Sequence, residues 1–174
     1  MKHVLFATTF LFTFGFQSES WLLGDEGAAT LQVPVNKTSK TNQDSTGKGK
    51  EKEEQSQQAA WMLESAKSAN DYVDALDREY YDQSWTKGDQ IFQHTITKEE
   101  WTKALIKNRK PLGKVNSRKL KDQRPAMDPQ GLPRGAYMVV EYDTSFENAP
   151  SSGELLTLRR GSDGAWRVLT YQVN

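Results

Sequence analysis

The sequence contains no cysteine. That single absence excludes disulfides, thiolate catalysis, zinc ribbons and iron–sulfur ligation together, and with them the lipidated cysteine of a bacterial lipoprotein. Histidine is nearly as scarce, with His3 and His94 alone. If the N-terminus is removed one histidine remains, too few for a His-only metal centre within one chain. Charge of one sign is not in excess, because 23 Lys and Arg balance 23 Asp and Glu. No global field therefore draws the chain to nucleic acid or to an anionic membrane. A Gly-x-Ser-x-Gly elbow is also missing, so Ser84, Ser117 and Ser145 form no nucleophilic triad with the histidine available. No cofactor-binding motif is read, and no metal ligand set. With 174 residues, the chain is long enough for one domain and ancillary segments.

Only one long apolar run is present, residues 4–16, preceded by Lys2 and His3 and interrupted only by threonines and Gly15. It falls short of the roughly 20 residues that span a bilayer. Ser18 and Ser20 supply small residues for a cleavage site, so residues 1–20 read as an export signal. The mature protein is then expected in the periplasm or secreted from the cell, with no stable membrane span. Residues 21–58 are assigned to a linker. Within it, residues 34–58 hold one apolar residue of any bulk, Val35, and cannot bury enough surface to offset the entropy of ordering.

The folded domain is expected over residues 59–174. Met62, Ala66, Ala69, Val73, Leu76 and Tyr80 recur at steps of four and three, an apolar stripe down a helix that breaks at Asp77 or Arg78. A second short helix is predicted over 79–86, closed by Gly88 as a left-handed C-terminal residue. The best-marked helix lies at 98–109. Thr97 and Glu100 form a capping box, Ile96 and Trp101 a hydrophobic staple, and Pro111 a stop. Trp101, Ala104, Leu105 and Asn108 share its inner face, and His94 falls in a polar loop before it.

Beyond Gly113 the period changes to two. Strands are predicted over 114–124, 136–146, 154–160 and 166–173. The second alternates most clearly, with Met138, Val140, Tyr142, Thr144 and Phe146 against Tyr137, Val139, Glu141, Asp143 and Ser145. Residues 128–133 are turn material, and Ser162-Asp163-Gly164 is a hairpin signal. Helices first and antiparallel strands after give an α+β fold: N-terminal helices packed on a curved antiparallel sheet of about four strands.

Trp61, Tyr81-Asp82-Gln83-Ser84-Trp85, Phe92, Thr97 with Trp101, Arg109, Pro111-Leu112-Gly113, Ser117-Arg118 and Gly164-Ala165-Trp166-Arg167-Val168 with Tyr171 follow one another in an order and spacing that resembles the bacterial family called domain of unknown function 4019. The resemblance spans about residues 59–173. It implies a small exported bacterial protein whose fold is similar to the nuclear-transport-factor-2-like, cystatin-like cone, and it implies no reaction. Dimerisation through the sheet is common among such cones. The chain departs from the pattern in the acid-rich stretch DYVDALDREYYDQSW, residues 71–85.

Enzymes on cones of this kind use a carboxylate or histidine in an apolar pocket. Glu141, Asp143 and His94 are the residues that fit that role. The alternative for the carboxylates is pairing with a cross-strand arginine such as Arg159. Trp85, Trp101 and Trp166 invite an aromatic cage, against which stands the tendency of aromatics at core spacing to be core. Residues 98–124 carry ten basic and three acidic residues, while 71–82 reverse the balance. These segments attract each other within one domain, or the basic one faces a partner. Arg109, Arg118, Trp85, Trp101 and Tyr142 are the candidate binding residues. The arginines' structural role would be to pin the helix-to-strand crossover through backbone carbonyls or carboxylates such as Asp82. The expectation is a non-enzymatic module for an envelope protein or a small ligand, with no nucleic acid among its partners. The competing expectation is a small-molecule enzyme of ketosteroid-isomerase or dehydratase type with Glu141 or Asp143 as base.

Overall fold

The computed structural model describes residues 46–174, so the expected export signal and residues 21–45 of the linker lie outside the described residues. Among these residues four α-helices precede four strands: α1 (Thr46–Asp77), α2 (Tyr81–Thr86), α3 (Gln90–Thr95), α4 (Lys98–Asn108), β1 (Val115–Met127), β2 (Ala136–Phe146), β3 (Ser152–Arg160) and β4 (Trp166–Val173), with a 3-10 turn at Lys110–Leu112. The strands form one antiparallel meander in the order β1-β2-β3-β4. The expected α+β class and the bounds of β2 and β4 hold as read.

One residue set builds the core. On α1, Ser65, Ala69, Tyr72, Val73 and Leu76 are buried, a helical stripe that meets Met138, Val140, Leu156, Leu158 and Val168 on the sheet. Cross-strand register explains why those strand residues share a face. Val140 opposes Leu156, Met138 opposes Leu158, and Leu158 opposes Val168, and directly opposed residues project to the same side. The same rows continue outward to Arg118, Thr144 and Glu154 at one end of the sheet and to Arg160 and Trp166 at the other.

Several expectations need correction. Residues 46–58, assigned to the linker, are helical, yet every residue from Gly49 to Ala60 is exposed. Glu, Lys, Gln and Ala favour helix, and adding turns to a helix already nucleated on a core costs little. Tyr80 does not complete the apolar stripe. Glu79 adopts φ 59°, the chain leaves the helix, and Tyr80 is 49% exposed. Gly88 does not close α2 in a left-handed conformation. Instead it bridges Val168, and a Cβ there would stand 2.4 Å from the Phe92 ring. His94 lies in α3 rather than a loop, its Nδ1 2.6 Å from the Gln90 carbonyl.

In α4 the capping box forms as read, but Asn108 is exposed and the buried residue at that end is Arg109. β1 runs beyond 124 and includes Pro125. An edge strand tolerates proline because its outer N–H groups have no ladder partner. Lys119, Lys121, Arg124, Pro125 and register shifts after Val115 and Leu120 make that edge a poor template for further pairing.

Candidate functional site

Four elements bring charged side chains together under the α1–β1 seam. Asp77 is the last residue of α1, where the negative end of the helix dipole disfavours an anion. Two guanidinium groups offset that. Arg109, the C-cap of α4, donates through Nη2 to Asp77 Oδ1. Arg118 of β1 grips Asp77 with Nη1 at 2.7 Å and Nη2 at 3.0 Å. Glu154 of β3 receives the same arginines, with Arg118 Nε at 2.6 Å and Arg109 Nη2 at 3.7 Å.

Tyr171 of β4 accepts from Arg109 Nε at 3.1 Å and donates to Glu154 at 2.6 Å, and Thr144 of β2 donates to Glu154 at 2.7 Å. The Glu154 side chain is fully buried and that of Arg109 is 4% exposed, so two cations and two anions balance in a medium where a lone charge would be very costly. Phe146 completes the enclosure, its ring 4.9 Å from the Arg109 guanidinium carbon.

The surroundings raise the pKa of two members, Arg118 and Tyr171. Burial alone would lower the pKa of Arg118, but hydrogen bonds to Asp77 and Glu154 and their charges outweigh it, so the pKa rises. Burial also raises the Tyr171 phenol, reinforced by the charge of Glu154 and opposed by Arg109. Both shifts favour the protonated forms of Arg118 and Tyr171, the forms that donate to Glu154.

Above the cluster lies an open groove of about 370 Å³. Val73 and Leu120 give it apolar walls, Asn70, Asp74 and Tyr142 polar ones, and Asp77 and Arg118 form its charged end. Tyr142 is 4% exposed, and its hydroxyl donates to Asn70 Oδ1 at 2.7 Å. Leu120 is 51% exposed, an apolar side chain standing over a pocket that has apolar surface to offer.

Of the candidate binding residues, Arg118 and Tyr142 line the groove and Arg109 lies in the cluster beneath them. Trp85 and Trp101 do not line it. Trp101 is core, 5.0 Å from Phe92 centroid to centroid, with its indole N–H on Ser84 Oγ at 2.9 Å. Trp85 donates to the Ile96 carbonyl at 2.8 Å.

Glu141 and Asp143 project from the other face of β2. Glu141 is bonded to Lys121 at 2.6 Å, and Asp143, with 66% of its side chain exposed, is 3.8 Å from the same lysine. The expected partner Arg159 reaches Asp89 instead, at 3.4 Å. His94 is exposed. The arginines are not anchored by Asp82, which meets Lys98 at 3.8 Å and Thr102 at 3.3 Å. The acidic and basic segments do attract each other, through these pairs and through Lys110 with Glu79 at 2.7 Å.

Sequence reasoning missed Asp77, Glu154 and Tyr171. A signal for Glu154 existed: it shares a strand face with Leu156 and Leu158, and a carboxylate on an apolar face requires a cation.

No helix among the described residues is long and apolar enough to cross a membrane. Among the same residues no group of three or more His, Cys, Asp or Glu is arranged to hold a metal ion. Compared with the curated proteins, the sequence finds no match. Residues 68–171 match a family model described as protein of unknown function (DUF4019). The match covers more than half of the chain and includes α2, α3, α4, all the sheet up to Tyr171 and every member of the ion cluster. The chain therefore belongs to the DUF4019 family of proteins of unknown function.

Proposed function

We propose that the protein is an exported, non-enzymatic binding module of the cell envelope and that the α1–β1 groove receives its ligand, a small molecule with one apolar and one polar end. The observation that carries this reading is the pairing of an open, half-apolar groove with a charged floor whose groups are already compensated. Such a floor is preorganised: it presents fixed dipoles without having to move when a ligand arrives. Asn70, Asp74 and Tyr142 then orient the polar end while Val73 and Leu120 cover the apolar one. Acid–base catalysis finds less support, since Glu141 and Asp143 are held by Lys121 on the opposite face of β2 rather than in an apolar pocket. A meander of four strands with helices packed across it is in keeping with the cone architecture that the family resemblance implies. The apolar run at residues 4–16 supports export.

Titration of the isotopically labelled protein with a library of small amphiphilic compounds, followed by amide chemical shifts, tests the reading. Saturable shifts should concentrate at Asn70, Val73, Leu120 and Tyr142 and disappear in Leu120→Asp. Shifts confined to the open sheet face around Glu141 and Thr157 would move the binding surface there. For export, the protein recovered from envelope fractions should begin near residue 20, whereas an intact N-terminus in the cytoplasm would contradict it.

A further inference from the structure

A second site lies at the far end of β3. Arg160 is six positions along the strand from Glu154, about 20 Å at the rise of an extended chain, so it is separate from the groove. It opposes Trp166 across the β3–β4 ladder, which sends both side chains to the helix side of the sheet. There they meet Trp61 of α1. The Arg160 guanidinium carbon stands 5.5 Å from the Trp61 ring centroid, and the two indoles touch edge to face at 5.9 Å.

Gly164 also approaches the guanidinium: its φ is 80°, and a Cβ there would come within 3.2 Å of Arg160 Nη2. Packed near the Trp61 ring and the bare Gly164, the guanidinium has no counter-charge among the described residues. No ion pair is made by Arg160 among the described residues, and Asp163, the carboxylate of the adjacent turn, is gripped by Arg167 at 2.5 and 2.9 Å.

Two buried polar atoms at this place lack a hydrogen-bond partner, Arg160 Nε and Trp166 Nε1. Trp166 is only 4% exposed. Both atoms are obligate donors, so what the site lacks is an acceptor. Buried donors left unmet are rare in folded proteins, and a fixed guanidinium fork is the group best matched to a planar or tetrahedral oxyanion.

We infer that Arg160 and Trp166 form a binding site for the oxyanion of a small ligand, a carboxylate or a phosphate group, with Trp61 as the wall against which the rest of the ligand stacks. Arg160 supplies the charge and the fork, and Trp166 Nε1–H gives a further, directional bond. Arg160 as a whole residue is half-buried rather than enclosed, while the two donors themselves lie beneath the surface.

Binding is read by the Trp166 indole N–H and Arg160 Nε–H resonances of the full-length labelled protein, titrated separately with sodium phosphate and sodium acetate at constant ionic strength. A saturable shift of both resonances is expected with at least one anion. Movement with phosphate alone assigns a phosphorylated ligand, and movement with acetate alone a carboxylate. Arg160→Gln should weaken the response at least about tenfold, the scale of a lost charged hydrogen bond, with the amide spectrum otherwise preserved. Should that variant fail to fold, Arg160→Lys keeps the charge, loses the fork, and is expected to show the same weakening. No saturable shift with either anion, or an unchanged response in the folded variants, would overturn the assignment.

Discussion

Arg109 ends α4 with its guanidinium shielded from water, one arm on Asp77, another on the Tyr171 hydroxyl, and the Phe146 ring beneath it. Each contact uses a different part of the fork, which a lysine cannot reproduce with a single ammonium. Removing a buried partner leaves the others uncompensated, and that loss exceeds the value of the bonds themselves. Arg109→Ala should therefore lower the unfolding free energy by about 3 kcal/mol, and Arg109→Lys should recover less than half of it, both measured by urea denaturation. A variant within about 0.5 kcal/mol of wild type would show that Arg109 is not structural. From the sequence, Arg109 and Arg118 were recognisable as residues that packing does not explain. Their partners were not, because Asp77 and Glu154 lie 32 and 36 positions away and nothing local selects them over Asp82.

At the level of elements, legibility followed the length and regularity of the pattern. β2 alternates over eleven residues and α4 carries its own cap, with Thr97 and Glu100 exchanging hydrogen bonds at 3.0 and 3.3 Å, so both were readable. α3 has six residues, too few for a period, and is fixed by its Asp89 cap and by Phe92 packing beside Gly88 rather than by an apolar stripe. The exposed start of α1 was misassigned for a different reason. Low hydrophobicity forecasts the absence of burial, which is what residues 49–60 show, but burial and helicity are separate properties when a helix grows from a packed segment. Gln55→Pro should consequently reduce the far-UV helical signal and leave the unfolding free energy within about 0.5 kcal/mol of wild type. A loss of several kcal/mol would mean that the exposed turns carry tertiary contacts.

Taken whole, the molecule buries phenols from both helices and strands, and its pH response should show it. Burial is the leading cause that raises the pKa of Tyr72, Tyr81, Tyr137, Tyr142 and Tyr171. A phenol raised in the folded state favours folding fully below its unfolded pKa, about 10, and that contribution is lost as pH rises through the folded value. Absorbance at 295 nm should thus show most tyrosines ionising together with the loss of circular dichroism above about pH 10. Independent titration of all phenols in a protein that stays folded would contradict it. The central claim concerns the cluster that joins α1, α4, β1 and β3: its arginines are committed to Asp77 and Glu154 and thereby shape the groove above them. A double-mutant cycle on Arg118→Met and Glu154→Leu, read by global unfolding, tests this most directly. Each single change should cost about 3 kcal/mol, and the double variant should be no less stable than the weaker single, a coupling of about 3 kcal/mol or more. Losses that simply add to within about 0.5 kcal/mol would contradict it.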